Sequence, residues 1–299
     1  MRTDPLSAPV ALATCTAVVG KEPDDLQVID ALRKRGVDAV HRAWDDLAVD
    51  WSSFRLVVVR STWDYIDQRD DFLAWAERLP NVLNPAAVLR WNTDKRYLGD
   101  LAKAGLPVIP TCFLGPGDAF EPPLTAFVVK PAVSCAAKDT ARYEGGDPAA
   151  LKHIHRLQAE GRTVLVQPYL SRIEAAGEVA VLFIGGVYSH SIRRGALLKA
   201  GASPDLAMSL PLNVERHQAT PHERELAERV LRHIPCDPAG LLYARVDLVP
   251  GPDGEPLVLE VELTEPALFL DFSDGGADRL ADAIAATLEK AKEASGIRW

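Results

Sequence analysis

Arg245, Asp247, Glu260 and Glu262 stand in the stretch RVDLVPGPDGEPLVLEVE, two β-forming runs around an Asp253-Gly254 turn signal. Side chains two apart in a strand share a face. A hairpin symmetric about that turn sets Asp247 opposite Glu260 and Arg245 opposite Glu262. The four charges then form a square on one face. Val246, Leu248, Leu259, Val261 and Leu263 fall on the other face, toward a core. Three carboxylates within cross-strand reach repel one another unless a cation offsets them. Oxygen-only ligands suit Mg²⁺ or Mn²⁺ rather than zinc. Magnesium held by a few carboxylates usually shares its shell with phosphates. Arg245 would lie beside those phosphates or beside a developing oxyanion. Taken alone, the hairpin reads equally well as a solvated face on which Arg245 neutralises one acid.

Two lysines offer a partner for such phosphates. Lys130 ends FVVK and precedes PAVSCAAKDTAR, a loop of small residues that includes Ser134. Backbone N–H groups in such a loop can approach an anion. Lys95 falls in the first turn of a helix read over NTDKRYLGDLAKAG, capped by Asn92 or Thr93 and stopped at Gly105. A cation there opposes the helix dipole, and a bound anion would explain it. Each lysine taken singly also reads as an ordinary surface charge. A third set is RSTWDY, after the strand LVVV, at a carboxyl end where ligands bind in α/β sheets. Arg60 suits a carboxylate and Asp64 an amine, with Thr62 between them and Trp63 and Tyr65 as walls. An aromatic cluster packed between domains fits that loop equally. Glu265 and Ser273, downstream of the acids, read as contacts for the amino-acid end of a substrate or as structural residues.

The elements that must position these residues alternate in the first third of the chain. VALATCTAVV, VDAVHRAW and FRLVVVR read as strands; residues 23–36 and RDDFLAWAERL read as helices, which makes an open α/β domain. No GxGxxG follows the first strand, so the dinucleotide fingerprint is absent. Beyond Pro85, LPVIPTCFL is extended. AFVVKPAV and TVLVQPYL are strands around a helix near 148–160. EVAVLFIGGVYSHSIRR is a hairpin turning at Gly185-Gly186. Helices follow at 220–234 and 276–294. Residues 195–213 have loop composition and read as a mobile lid.

The 299 residues allow about two domains or three small ones. A net charge of −9 argues against a nucleic-acid partner. The four cysteines, Cys15, Cys112, Cys135 and Cys236, form no CxxC pair and fit free thiols in a reducing compartment. No apolar run reaches the roughly 18 residues of a membrane helix. PVALATCTAVVG reads as a buried first strand rather than an export signal, since Asp4 and Pro5 spoil a positive leader. The expectation is a cytoplasmic protein with no membrane or nucleic-acid partner; a homo-oligomer stays open.

The ordered set Lys95, Lys130, VQPYL with Glu174 downstream, and Asp247…Glu260-x-Glu262 resembles the ATP-grasp ligases over residues 84–272. The resemblance implies an ATP-grasp fold of α/β class. It divides the chain into an N-terminal open α/β domain (1–91), a central ATP-grasp domain (92–170) and a C-terminal one with the metal site (171–299). It implies that Lys95 and Lys130 hold ATP phosphates and that the backbone of Gln167, Tyr169 and Leu170 meets adenine. Glu174 would accept ribose hydroxyls, and Arg193 or Arg194 would touch phosphate. Asp247, Glu260 and Glu262 would bind Mg²⁺ (or Mn²⁺), with Arg245 and Lys130 as catalytic cations. Two departures stand out: Glu262 replaces the family's common Asn, and the loop from Pro131 to Ala141 has no glycine. Within the family, RSTWDY and EVELTEPALFLDF look most like the cyclo-ligases that form D-cycloserine. That implies an amino-acid-like substrate, O-ureido-D-serine, whose carboxylate is phosphorylated before an internal nitrogen closes the ring. A ligase joining two amino acids is the alternative within the family. A nucleotide-binding regulatory protein without chemistry is a third reading, which the intact charge square disfavours.

Overall fold

The computed structural model of the protein describes residues 10–198 and 213–294. The first unit contains β1 (Val10–Thr14), α1 (Pro23–Lys34), β2 (Ala39–Ala43), β3 (Leu56–Val59), α2 (Arg69–Glu77) and β4 (Val82–Leu83). Its sheet is parallel, in the order β2-β1-β3-β4. β1 ends at Thr14 rather than running to residue 19. Its neighbours stop there too, since Thr14 pairs with Ala43 and Ala13 with Val59. α1 begins on Pro23 and carries Asp24 and Asp25 in its first turn and Arg33 and Lys34 in its last, matching the helix dipole.

Two short helices follow, α3 (Ala86–Asn92) and α4 (Tyr97–Lys103), where one was expected. Asn92 ends the first instead of capping the second, and Lys95 lies in the turn between them. The split has a tertiary cause. Asn92 Nδ2 donates to Val261 O at 2.7 Å and its Oδ1 accepts from Leu263 N at 2.8 Å. The Tyr97 hydroxyl bonds both backbone groups of Val261. These side chains cover an edge strand that would otherwise lie unpaired.

The second sheet is antiparallel. It comprises β5 (Cys112–Leu114), β6 (Phe127–Pro131), β7 (Ala141–Tyr143) and, after α5 (Pro148–Ala159), β8 (Val164–Pro168), ordered β5-β8-β6-β7. Phe127, Val129, Ile154, Leu157 and Val166 bury α5 against it. The third follows α6 (Ile173–Ala176). It contains β9 (Glu178–Ile184), β10 (Val187–Arg194), β11 (Val214–His217) and, after α7 (Pro221–Leu231), β12 (Tyr243–Pro250) and β13 (Pro256–Glu262), with α8 (Gly276–Ala294) last. The strands are antiparallel in the order β11-β10-β9-β12-β13. The β9–β10 turn falls at Gly185-Gly186 with φ +58° and +76°, conformations that glycine adopts freely. Residues 199–212 of the expected lid lie outside the described residues.

The five-stranded sheet is buried on both faces. Val181, Phe183, Val246 and Val261 pack on Leu98, Leu101, Leu226 and Val230. On the opposite face Leu182, Ile184 and Tyr243 pack on Leu12, Ile29, Leu280 and Ile284. The parallel sheet is thereby joined to the third sheet through α1 and α8.

A polar network also crosses this junction. Arg60 is 2% exposed, and its Nε donates to Asp25 Oδ1 at 2.8 Å. Ser61 Oγ donates to Asp25 Oδ2 at 2.7 Å, and His41 Nε2 lies 3.2 Å from the same oxygen. Burial pushes the Asp25 carboxyl up, but Arg60, His41 and Ser61 outweigh it and hold it below the usual range. Arg60 Nη1 also donates to Pro266 O at 3.2 Å. Arg60 is therefore a structural ion-pair partner rather than a contact for a substrate carboxylate. Breaking a buried pair strands the other charge, so Arg60→Met is expected to destabilise the protein by about 3–5 kcal/mol in denaturant titration.

Candidate active site

A cavity of about 380 Å³ lies between β6 and β8 on one side and β12 and β13 on the other, with Trp63 and Tyr65 in its wall. The β12–β13 hairpin supplies its most charged wall. Arg245 pairs with Glu262 and Asp247 with Glu260, the register read from the sequence. The route to that register differs. Near the turn Leu248 pairs with Val258 and Pro250 with Pro256, so the loop centres on Asp253 alone. A bulge then places Leu259 as an extra residue. Without it Asp247 would face Leu259, and the acids of β13 would point to the opposite side of the sheet. Leu259 consequently lines the cavity instead of filling the core, and Val258 takes the core position.

The charges on this wall neutralise one another. Arg245 Nε and Nη2 hold Asp247 at 2.8 and 2.9 Å, and Nη2 also bonds Glu262. Arg194 bridges Asp247 (2.9 Å) and Glu178. Lys95 Nζ pairs with Glu260 at 2.9 Å. Burial disfavours the Lys95 ammonium, but Glu260 outweighs it and keeps its pKa above the lysine norm. Burial, and then Asp247 and Glu260, push Glu262 up to about 7 against the pull of Arg245. Among the described residues the Lys130 ammonium makes no ion pair or hydrogen bond, and burial together with Lys95 lowers its pKa against the pull of Glu260.

Asp247 is fully buried, does not line the cavity, and is engaged by two arginines. No three His, Cys, Asp or Glu side chains among the described residues are grouped to hold a metal. Glu260 and Glu262 do line the cavity, and Glu262 remains under-compensated. That donor set fits Mg²⁺ as two carboxylate oxygens, with phosphate and water completing the shell.

Other expected contacts separate in the same way. Lys95, Lys130, Ser134, Gln167, Tyr169, Leu170, Arg194 and Arg245 all line the cavity. Arg193 does not; it alternates away from Arg194 on β10 and lies 3.8 Å from Glu215. Glu174 is outside the wall, bonded to Arg142 at 2.7 Å and to the Tyr169 hydroxyl at 3.1 Å. The loop after β6 achieves its curve without glycine: Ala136, Ala137 and Asp139 have φ between +47° and +58°. Arg156 and Arg162 clamp Asp139 at 2.6 and 2.7 Å and offset that strain.

Of the substrate set, Trp63, Tyr65 and Glu265 reach the cavity. Asp64 does not, since it accepts from Trp44 Nε1 at 2.7 Å. Thr62 is buried away from the cavity, and Ser273 lies in a separate depression, bonded to Arg279. Sequence reasoning missed Glu178 and Cys135. Glu178 opens a strand, where an acid ordinarily faces water; only the cross-strand placement of Arg194 draws it inward. Cys135 is turned onto Trp63 O at 3.1 Å, and burial keeps its thiol protonated.

Burial and Glu262 push the Glu265 carboxyl from 4.5 to about 8. An acid raised on folding stabilises least above its folded pKa, so its contribution is lost as pH rises from about 5 to 8. Glu265→Gln is therefore expected to raise Tm at pH 9 relative to wild type and to change it little at pH 5.

Residues 10–84 match the family described as the N-terminal domain of D-cycloserine synthetase DcsG. The chain is 39% identical over 298 residues to cycloserine biosynthesis protein DcsG of Streptomyces lavendulae, covering 94% of this chain and 99% of that protein. It superposes on the crystal structure of D-cycloserine synthetase DcsG with a TM-score of 0.83 at 38% identity, covering 93% of this chain and 99% of that one. The ATP-grasp ligase PsnB, solved with its minimal precursor, Mg and ADP, matches at TM-score 0.61 and 18% identity over 96% of this chain and 99% of that one, a likeness of fold. The chain belongs to the DcsG family and is an enzyme of the ATP-grasp ligase type.

Proposed function

We propose that the protein is the ATP-dependent cyclo-ligase of cycloserine biosynthesis, acting on O-ureido-D-serine. The observation that carries the nucleotide part is Lys130, which is 6% exposed, lines the cavity and makes no direct ion pair among the described residues, Glu260 acting on it only from beyond contact. A buried ammonium left unpaired is costly, and a phosphate group answers that cost. The substrate part rests on the identity with DcsG along nearly the whole chain.

The reaction transfers the γ-phosphoryl group of ATP to the substrate carboxylate, giving an acyl phosphate and ADP. The nitrogen bonded to oxygen then attacks the acyl carbon, expels phosphate and closes the five-membered ring. One water hydrolyses the carbamoyl group to carbon dioxide and ammonia. Magnesium held by Glu260 and Glu262 would neutralise phosphate charge. Lys130 and Lys95 bind phosphate oxygens, with Lys95 exchanging Glu260 for that partner. Arg245 is a fixed donor. Four of its five N–H groups bond Asp247, Ala267 and Glu262, which leaves one on Nη1 for an acyl oxygen. Intramolecular attack requires a single organic substrate and gains from proximity.

Mass spectrometry of products formed from ATP, Mg²⁺ and O-ureido-D-serine tests this reading. ADP and a cyclised product from the one substrate are expected, whether or not a second amino acid is present. A product containing both amino acids would identify a joining ligase instead. Lys130→Met is expected to weaken ATP binding about tenfold or more in calorimetry, the loss of one charge-assisted contact, with the circular dichroism spectrum unchanged.

A further inference from the structure

After β13 the chain leaves the sheet, bends at Thr264 and Glu265, and turns left-handed at Phe269 (φ +51°) before a 3₁₀ turn at Leu270. From Thr264 to Leu270 its backbone is held instead by side chains of distant elements. Thr264 O accepts from the Tyr243 hydroxyl at 2.9 Å, Glu265 O from Trp63 Nε1 at 3.2 Å and Pro266 O from Arg60 Nη1 at 3.2 Å. Ala267 O accepts from Arg245 Nη1 at 3.0 Å, and Leu268 O bonds His190 Nε2 at 2.8 Å. The amides of Leu268 and Leu270 both donate to Asp24, at 2.8 and 3.0 Å. Each of these backbone groups would otherwise be an unmet polar group in the interior. Six side chains thus fix one short segment in place.

That segment presents Glu265, Ala267 and Phe269 to the cavity and buries Pro266, Leu268 and Leu270. Three other acids of the cavity wall each face a cation: Glu178 faces Arg194, Glu260 faces Lys95 and Glu262 faces Arg245. Glu265 has no ion pair among the described residues; the Tyr65 hydroxyl alone is directed at its carboxylate. An acid held so rigidly in a cavity, with no cation in ion-pair contact and Lys95 spent on Glu260, is prepared for a cation that arrives with a ligand.

We infer that Glu265 binds the ammonium group of the amino-acid substrate, with Tyr65 as the positioning residue that orients it. The inference rests on the ligase reading. In an α-amino acid the ammonium stands one carbon from the carboxylate that is phosphorylated. Arg245, the donor for that carboxylate, is tied to Ala267, two residues beyond Glu265 on the same segment. The contacts for the two ends of the amino-acid group are therefore held in register by one piece of backbone. Trp63 fastens the carbonyl of Glu265 itself, so the subsite spans the N-terminal loop and the segment after β13.

The test compares O-ureido-D-serine with its des-amino analogue, in which hydrogen replaces the ammonium. Binding is measured by calorimetry with Mg²⁺ and a non-hydrolysable ATP analogue, and turnover by ADP release. Wild type is expected to prefer the amino substrate by at least about tenfold, the worth of a charge-assisted contact. In Glu265→Gln that preference falls to about onefold while affinity for the Mg²⁺–nucleotide is kept. Tyr65→Phe raises KM for the amino substrate and leaves kcat near wild type. An undiminished preference in Glu265→Gln overturns the assignment and leaves the ligase reading intact. A fall in Mg²⁺–nucleotide affinity in that variant also overturns it, because Glu265 would then be a metal ligand. If wild type releases no ADP with O-ureido-D-serine, the ligase reading fails and this inference fails with it.

Discussion

The Arg245 guanidinium is buried between Asp247 and Glu262, and its charge determines how the other charges of the cavity are arranged. Asp247 is fully buried and has to be ionised to hold two arginines, and Arg194 supplies the second positive charge. Arg194 in turn draws Glu178 inward. Lys95 satisfies Glu260, and the remaining imbalance falls on Glu262, Glu265 and Lys130. Charges in a low-dielectric setting cannot be left unpaired cheaply. The three groups the protein leaves least compensated are those that face the space for ligands.

This arrangement needs a rigid frame, and the frame is largely polar. The outer edge of β13 is closed by Asn92 and Tyr97, and the segment after it by Tyr243, Trp63, Arg60, Arg245, His190 and Asp24. Hydrophobic packing on both faces of the five-stranded sheet sets the layers, but apolar contact is non-directional and tolerates sliding. Directional bonds to the backbone remove that freedom where the catalytic wall must be held. Arg60 and Asn92 therefore act by positioning backbone, Arg60 away from the cavity and Asn92 in its wall.

The β12–β13 hairpin shows how a sequence argument can reach the right pairing through an incomplete picture. Symmetry about Asp253-Gly254 sets Arg245 across from Glu262. The loop in fact closes about Asp253, and the bulge at Leu259 restores the offset. Period-two alternation is blind to such an insertion and places Leu259 in the core, whereas it lines the cavity. The register of the charged square was legible because the charges must share a face, whichever device brings them there.

Strands, helices and their order follow from local pattern: hydrophobic period, Pro23 and Thr220 at helix starts, glycine pairs at turns. The order Lys95, Lys130, Asp247, Glu260, Glu262 likewise identifies an ATP-grasp chain before any coordinates, because those charge types recur in one sequence order. Their roles are another matter. Whether Arg60 faces a ligand or Asp25, whether Asp247 is open or spent on two arginines, and whether Arg193 or Arg194 points inward depend on groups 35 to more than 50 residues away, or on strand alternation within the sheet. Glu265 and Asp64 are both carboxylates, yet one faces the cavity and the other is spent on Trp44. Residue type and spacing determined which chemistry this protein carries. Only the tertiary structure decided which of its charges are neutralised internally and which are left for a ligand, because electrostatic compensation depends on distance in space and not on separation along the chain.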